Sequence, residues 1–120
     1  MNNSHNISLV FVHIVVCTKW RRIRPDLVHC IPVIKNSLEY QGCNVIEINH
    51  GEKFDHIHIM FEMKPSNTIC KLVRIFKSRA SKFLYRNKFK WDGFSGGYFV
   101  KSIGDKSLIS TQKYISSQYS

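Results

Sequence analysis

The stretch FDHIHIMFE, residues 54–62, places two histidines one residue apart in an otherwise apolar run. Alternate side chains of a β-strand point to opposite faces, so His56 and His58 would share one face while Ile57, Ile59 and Phe61 occupy the other. Two imidazoles on one face can each offer a ring nitrogen to the same metal ion. By itself the pattern is weak, because a His-x-His pair is more often an incidental polar pair on a solvated surface.

A tyrosine and a glutamine near the end of the sequence could complete such a site. Tyr114 and Gln118 lie four residues apart in KYISSQ, residues 113–118, so on a helix they would share a face. A helix packed on the histidine face could present a phenol and an amide oxygen there. Taken singly, Tyr114 is explained as well by a half-buried aromatic residue, and Gln118 by a solvated one. Asp55 either begins the strand or orients one imidazole, as carboxylates often do for metal-binding histidines.

The elements that must position these residues follow from hydrophobic periodicity and from turn residues. Strands are predicted over residues 7–18, 43–49, 54–62 and 98–103. Helices are predicted from Pro25-Asp26 to Gly42, with Pro32 in the second turn, from a Ser66-Asn67 cap to about Arg86, and over residues 107–119 after a break at Gly104-Asp105.

This order, βαββαβ followed by one more helix, fits a single domain over residues 1–120. Two βαβ halves joined by a hairpin predict a ferredoxin-like α+β sandwich, with an antiparallel sheet and helices on one of its faces. We divide the domain into a core, residues 1–104, and a C-terminal helix with the tyrosine, residues 105–120. If Ile57, Ile59 and Phe61 face the helices, His56 and His58 lie on the open face of the sheet.

The charge of the chain points to a polyanionic partner. Lys and Arg number 18 against 8 Asp and Glu, a formal net charge of +10 at pH 7. Nucleic acid is the first expectation and an anionic membrane surface the second, while basicity from drift or for solubility is the plain alternative. The apolar run near the N-terminus is too short to cross a bilayer and lacks the features of a signal peptide. We therefore expect a cytoplasmic protein without a membrane segment.

Two basic segments supply most of the positive excess and are the candidate phosphate-binding surfaces. Either could equally be an ordinary solvated face. Their candidate DNA-binding residues are Lys19, Arg21, Arg22 and Arg24 in the first segment, and Lys71, Arg74, Lys77, Arg79 and Lys82 in the second. Aromatic residues that could stack on unpaired bases, or simply fill the core, are Trp20, Phe89, Trp91, Phe94 and Tyr98.

The cysteines give no sign of a zinc site or of a disulfide framework. They stand far apart, without a Cys-x-x-Cys pair, at Cys17, Cys30, Cys43 and Cys70. We expect reduced, partly buried thiols.

Taken together, the motifs resemble those of the small single-tyrosine transposases of the HUH superfamily, which are encoded by insertion sequences that move as single-stranded DNA. The match is to their histidine–hydrophobic–histidine strand, here His56-Ile57-His58, and to their C-terminal Tyr-x-x-x-Gln helix, here Tyr114 to Gln118. The segments VHIVVCTKWRR, LVRIFKSRASKFL and GYFVKSIGD resemble the first strand with its basic turn, the central helix, and the fourth strand with a hinge. The resemblance covers nearly the whole chain in the right order.

The resemblance implies a specific chemistry. His56, His58 and Gln118 would bind a divalent cation, Mg²⁺ or Mn²⁺, that polarises the scissile phosphate. Tyr114 would cleave single-stranded DNA at insertion-sequence ends through a 5′-phosphotyrosine intermediate and would rejoin the strands. The family recognises subterminal hairpins and acts as a homodimer in which active sites can be shared between subunits. Gly104 stands where a hinge for that exchange would be needed.

Three rival interpretations remain beside the transposase. The first is a domesticated relative that cuts and joins strands without mobilising an element. The second is a non-catalytic ferredoxin-like protein that binds single-stranded nucleic acid. The third is a metal-binding regulator, which would have no use for Tyr114.

Overall fold

Four β-strands and two α-helices make up residues 9–105, the part of the chain that the computed structural model describes. The strands are β1 (Val10–Cys17), β2 (Asn44–His50), β3 (His56–Met63) and β4 (Phe99–Asp105), and the helices are α1 (Ile31–Tyr40) and α2 (Ile69–Arg86). Two short 3-10 segments, Lys19–Arg21 and Pro25–Cys30, lead from β1 to α1. The predicted helix over 107–119 lies outside the described residues.

The strands form one sheet in the order β2-β3-β1-β4, and every neighbouring pair is antiparallel. The central pair sets the register of the candidate site, because Val15 of β1 lies opposite His58 and Cys17 lies opposite His56. This order is that of a ferredoxin-like sandwich. The α+β class, the antiparallel sheet and the two helices of the core are therefore as the sequence predicted.

The sheet face that carries Ile57, Ile59 and Phe61 packs against the helices. All three side chains are fully buried, as alternation predicted, and they share one apolar core with Ile34 of α1 and Phe76 of α2. The apolar stripe of α2 follows its three-and-four spacing onto this face, because a helix that packs on a sheet buries residues one turn apart. Its buried members are Leu72, Val73, Phe76, Ala80 and Leu84.

The opposite face of the central strands carries His56 and His58, but it is less open than the sequence predicted. His13 and Phe11 of β1 are each only 1% exposed, and Met60 of β3 is also buried. Phe11 and Met60 form a second, small apolar cluster that Ile46 of β2 packs against. This face of the central strands is therefore partly buried rather than fully solvated.

Two helix starts differ from the prediction. The segment from Pro25 to Cys30 is a 3-10 helix, and α1 begins only at Ile31, with a proline in its first turn, where the missing N–H costs nothing. The cap of α2 is Thr68 rather than Ser66-Asn67, since the Thr68 hydroxyl accepts a hydrogen bond from the Lys71 amide.

The end of the sheet also differs. The sequence predicted a break at Gly104-Asp105, but both residues belong to β4, and Gly104 lies opposite Phe11 of β1. Pairing with β1 continues through Gly104, because the hydrogen bonds between strands use backbone N–H and C=O groups, which glycine also has. The last strand therefore ends at Asp105 rather than at residue 103, and the hinge expected at Gly104 coincides with a paired strand position.

None of the helices within residues 9–105 is both long enough and apolar enough to span a membrane.

Candidate functional site

The imidazoles of His56 and His58 converge on one point above the sheet. His56 begins β3 and His58 follows two residues later, so the pleat directs both to the face away from the helices. Their Nε2 atoms lie 3.1 Å apart, and the ring planes meet at 77°. In the structure these two side chains lie together on one face of the sheet, as the sequence predicted.

Asp55 determines which nitrogen of His56 is available. Its carboxylate Oδ1 lies 2.7 Å from His56 Nδ1, and Asp55 is buried. Burial by itself would raise the pKa of Asp55, but the hydrogen bond from His56 and the charge of Arg21 outweigh it and hold that pKa below its usual value. An ionised carboxylate only accepts hydrogen bonds, so His56 carries a proton on Nδ1 and turns Nε2 toward His58. Of the two interpretations of Asp55, this contact favours the orienting one.

His13 is a neighbour of the site that the sequence did not single out. It lies on β1, and its Nε2 is 3.4 Å from Nδ1 of His58, so both histidines of the pair have a partner at Nδ1. Burial, followed by the charge of Lys101, lowers the pKa of His13. The only signal in the sequence was a histidine inside an otherwise apolar strand, and the register of β1 against β3 was needed to place it.

The surroundings keep His58 uncharged. Burial, followed by the charges of His56 and His13, lowers the pKa of His58 to about 4. An uncharged imidazole keeps a lone pair on one of its ring nitrogens, which is the form of histidine that binds a cation.

The two Nε2 atoms have the spacing of neighbouring ligands on one metal ion. Two ligands about 2.1 Å from an ion and at right angles to each other lie about 3 Å apart. The 3.1 Å between His56 Nε2 and His58 Nε2 matches this separation. Within residues 9–105, however, no group of three or more His, Cys, Asp or Glu side chains is arranged to hold a metal ion. The described residues thus fit two ligand positions of a metal site.

Gly51, in the turn between β2 and β3, makes room for the His56 ring. A Cβ atom at this position would lie 2.2 Å from His56 Cε1 and 2.6 Å from His56 Nε2, far inside van der Waals contact. The contact of Gly51 with His56 depends on how the hairpin folds back, which the sequence alone does not reveal. Gly51 is therefore part of the geometry of the site.

A cavity of about 670 Å³ opens above the histidine pair. Its walls come from β3, from the end of β2 with the turn that follows, and from the segment after β1. Residues that line it include His13, Arg21, Glu47, Asn49, His50, Gly51, Asp55, His56 and His58. A space of this size accommodates a phosphodiester group with its neighbouring sugars.

Arg21 joins the basic turn after β1 to the site. Its Nη2 and Nε atoms each lie 3.2 Å from Asp55 Oδ2, the carboxylate oxygen that His56 does not use. The Thr18 backbone N–H donates to the Asp55 carbonyl oxygen at 2.9 Å and holds the turn against the start of β3. Of the predicted DNA-binding residues, Arg21 is the one that lies at the histidine pair.

The other basic candidates lie elsewhere or have partners within the protein. Arg22 and Arg24 both bind Asp92, at 2.6 Å and 3.1 Å. The Lys77 ammonium donates to the carbonyl oxygens of Ser95 and Gly97, which ties the loop before β4 to α2. Exposed on α2, on the helical side of the sheet and away from the histidine pair, are Lys71, Arg74, Arg79 and Lys82.

The aromatic candidates divide in a similar way. Trp91 is buried, donates from Nε1 to the Ser81 hydroxyl and packs edge-on against Phe94. Phe89, Phe94 and Tyr98 pack against the main core, which agrees with the alternative that they fill the core. Trp20 alone among the five is largely exposed, at 66%. Tyr114 and Gln118 lie outside the described residues, so their predicted place at the site stays a prediction.

Comparison with known proteins agrees with this architecture. A crystal structure of a "putative transposase" from Deinococcus radiodurans R1 superposes with a TM-score of 0.69 and 14% identity, covering 98% of this chain and 96% of the other, which shows a shared fold. No curated protein matches the chain. The sequence model of the family described as "Transposase IS200 like" matches residues 6–118. That match spans the whole described core together with both Tyr114 and Gln118, and the chain belongs to the family of IS200-like transposases.

Proposed function

We propose that the protein cleaves and rejoins single-stranded DNA at the ends of an insertion sequence, with Tyr114 as nucleophile and a divalent cation bound by His56, His58 and Gln118. Membership of the IS200-like family supports a transposase role and implies a DNA substrate. The observation that carries the finer proposal is the convergence of two Nε2 atoms at 3.1 Å, with each Nδ1 occupied by another partner.

In this proposal the residues around the histidines prepare the site before DNA arrives. Asp55 holds a proton of His56 on Nδ1, and the buried surroundings keep His58 uncharged, while both rings line the cavity with their Nε2 atoms toward each other. Gln118 would supply an amide oxygen as a third ligand. When bound, Mg²⁺ or Mn²⁺ supplies positive charge beside the scissile phosphate and the departing oxygen.

The covalent step is a phosphoryl transfer to tyrosine. The Tyr114 oxygen forms a bond to phosphorus while the bond from phosphorus to the 3′ oxygen breaks. The phenol loses its proton and the departing oxygen gains one, which gives a 5′-phosphotyrosine and a free 3′-OH. The new phosphodiester keeps the energy of the old one, so another 3′-OH can reverse the step without ATP. A phenol with a pKa of about 10 needs positioning to react at neutral pH.

Recognition of subterminal hairpins and action as a homodimer belong to the same proposal. The edge strand β4 supports the dimer, because Phe99, Val100 and Ile103 expose large apolar side chains on a strand that, within the described residues, pairs only with β1. Exposed apolar edge strands are surfaces that another chain can cover. The sedimentation mass of the purified protein tests this part, and a monomer at micromolar concentration would contradict it.

Covalent trapping tests the chemistry directly. Purified protein is incubated with Mn²⁺ or Mg²⁺ and with single strands from the DNA that flanks its gene, and the mixture is run on a denaturing gel. We expect a metal-dependent protein–DNA adduct that Tyr114→Phe and His56→Ala abolish. Matched controls are Tyr85→Phe and His29→Ala, which change an exposed tyrosine and an exposed histidine outside the site.

The same experiment separates the rival functions. Tight binding of the strands without any adduct would favour a non-catalytic single-strand-binding protein and would contradict the proposed reaction. If the protein forms an adduct and rejoins strands, but the DNA that flanks its gene contains no hairpins, it would be a domesticated strand-transfer enzyme. Loss of the adduct in Tyr85→Phe rather than in Tyr114→Phe would show that the nucleophile has been misassigned.

A further inference from the structure

Trp20 exposes its indole beside the candidate site. It is 66% exposed, although tryptophan usually buries most of its surface. The Lys19 ammonium lies 4.7 Å from its ring centroid and the Arg22 guanidinium 4.6 Å. An exposed aromatic ring with cations held over it has the composition of surfaces that bind single-stranded nucleic acid, in which a base stacks on the ring and the cations meet phosphates.

The backbone at this position is strained. Trp20 has φ 56° and ψ 23°, and Arg21 has φ 54°, so two consecutive residues with side chains adopt the left-handed conformation that disfavours them. A bulky residue in that region is uncommon, and burial of the indole does not offset the cost of the strained backbone here. Strain that persists without packing is a reason to look for function at that residue.

Several hydrogen bonds hold the strained turn in place. The Arg21 amide donates to the Thr18 carbonyl oxygen at 3.0 Å, and the Thr18 hydroxyl donates to the Arg22 carbonyl oxygen at 2.7 Å. The Lys19 amide donates to the Gly93 carbonyl oxygen at 2.9 Å. The backbone on either side of Trp20 is thus tied to the rest of the fold.

The turn links the indole to the histidine pair. Arg21 reaches Asp55, which orients His56, while the preceding residue, Trp20, extends its ring into solvent. Consecutive Cα atoms are about 3.8 Å apart, so the backbone of Trp20 directly adjoins that of Arg21, whose side chain lines the cavity.

We propose that Trp20 is a stacking platform for an unpaired base next to the cleavage point, with Lys19 as its phosphate-binding flank, while Arg22 stays paired with Asp92. On binding, the base takes the place of one cation over the ring, and that cation moves to the adjacent phosphate. The position relative to the cleavage point rests on the proposed function, whereas binding of an unpaired base does not.

Tryptophan fluorescence tests the platform directly. The chain has two tryptophans, and the other, Trp91, is buried. With EDTA present to prevent cleavage, the full-length protein is titrated with oligo(dT) of about 20 nucleotides and with a duplex of the same length. We expect the single strand to quench the emission of Trp20 and the duplex to leave it nearly unchanged. In Trp20→Phe the remaining emission of Trp91 should not respond to the strand.

Binding affinity, measured by the anisotropy of a labelled strand, completes the test. Trp20→Phe keeps an aromatic face and should bind within a few-fold of the wild type. Trp20→Gly suits the left-handed backbone, so it should fold and melt no lower than the wild type, but its affinity should fall about 5- to 100-fold. The matched control is Tyr40→Ala, which removes another exposed ring with a cation near it, 5.7 Å from Arg79, on the helical side.

Two results would overturn the platform: unchanged wild-type emission at saturating strand, or wild-type affinity in a folded Trp20→Gly protein. An equal loss in Tyr40→Ala would also contradict it, because the effect would then not depend on the site. Quenching without a covalent adduct would refute the proposed reaction and leave the platform standing. A covalent adduct without quenching would support the proposed reaction and overturn the platform.

Discussion

Replacement of Gly51 by alanine tests whether the position of the His56 ring is what makes the site. The added Cβ would lie 2.2 Å from His56 Cε1, whereas two carbon atoms prefer about 3.5–4.0 Å, so the ring must retreat by at least about 1.3 Å. The turn cannot simply move away instead. The Gly51 amide donates to the His56 carbonyl oxygen, and the Gly51 carbonyl oxygen accepts from the Phe54 amide.

A displacement of that size is large for a metal ligand. Metal–ligand distances tolerate changes of about 0.2 Å, and a misplacement of about 1 Å in an active site can cost about 100-fold in rate. The ring would also leave its 2.7 Å contact with Asp55. We therefore expect Gly51→Ala to bind Mn²⁺ at least about 10-fold more weakly and to form the covalent adduct about 100-fold more slowly.

Titration calorimetry with Mn²⁺, the trapping assay and a thermal melt would be run on the same preparations. The matched control is Gly96→Ala, because an added Cβ there meets no atom within 4 Å and the backbone of Gly96 lacks a positive φ. Gly96→Ala should behave as the wild type. A folded Gly51→Ala protein with wild-type Mn²⁺ affinity and adduct formation would refute the steric argument.

Three further predictions concern the same fold. Asp55→Asn should weaken Mn²⁺ binding about 10- to 100-fold, because the amide no longer compels His56 to carry its proton on Nδ1; wild-type affinity by calorimetry would contradict this. Without metal, the free energy of unfolding should decrease by about 1–3 kcal/mol as the pH falls from about 6.5 to 4. The pKa of His58 is about 6.5 in the unfolded chain and about 4 in the folded protein. Over that pH range mainly the unfolded chain takes up this proton, and this favours unfolding. Urea midpoints across this range test it, and a His58→Gln protein with the same slope would show that another group is responsible. Phe76→Ala should lower the free energy of unfolding by about 3–5 kcal/mol, because Phe76 is fully buried in the main core; a urea midpoint close to that of the wild type would be inconsistent with its position.

The sequence predicted the features that depend on periodicity. Alternation along β3 was enough to separate His56 and His58 from Ile57, Ile59 and Phe61, because one face of a strand in a sandwich must be buried. The order of elements then led to the ferredoxin-like core. These features depend on neighbours close along the chain, and patterns of apolar residues record them directly.

Contacts between distant segments were not predictable in the same way. The approach of Gly51 to His56, the place of His13 beside His58 and the pairing of Arg21 with Asp55 all depend on the three-dimensional register. Lys77 shows how such contacts bear on a residue that the sequence did single out. Its charge suggested a phosphate contact, but the loop before β4 provides carbonyl oxygens that bind the ammonium within the protein. Charge in a sequence does not reveal which cations already have partners.

The strand order also bears on the time at which the site forms. The hairpin of β2 and β3 joins segments that are close along the chain, whereas β1 and β4 bring Val15 against Phe99. Closing the longer loop costs more chain entropy, so we expect the amides of β3 to gain protection from hydrogen exchange before those of β4 during refolding. Pulse labelling would show this, and equal protection rates in both strands would argue against it. On the ribosome β4 would also be the last of the four strands to emerge, so the His56–His58 pair would exist before the edge strand that is the proposed dimer contact.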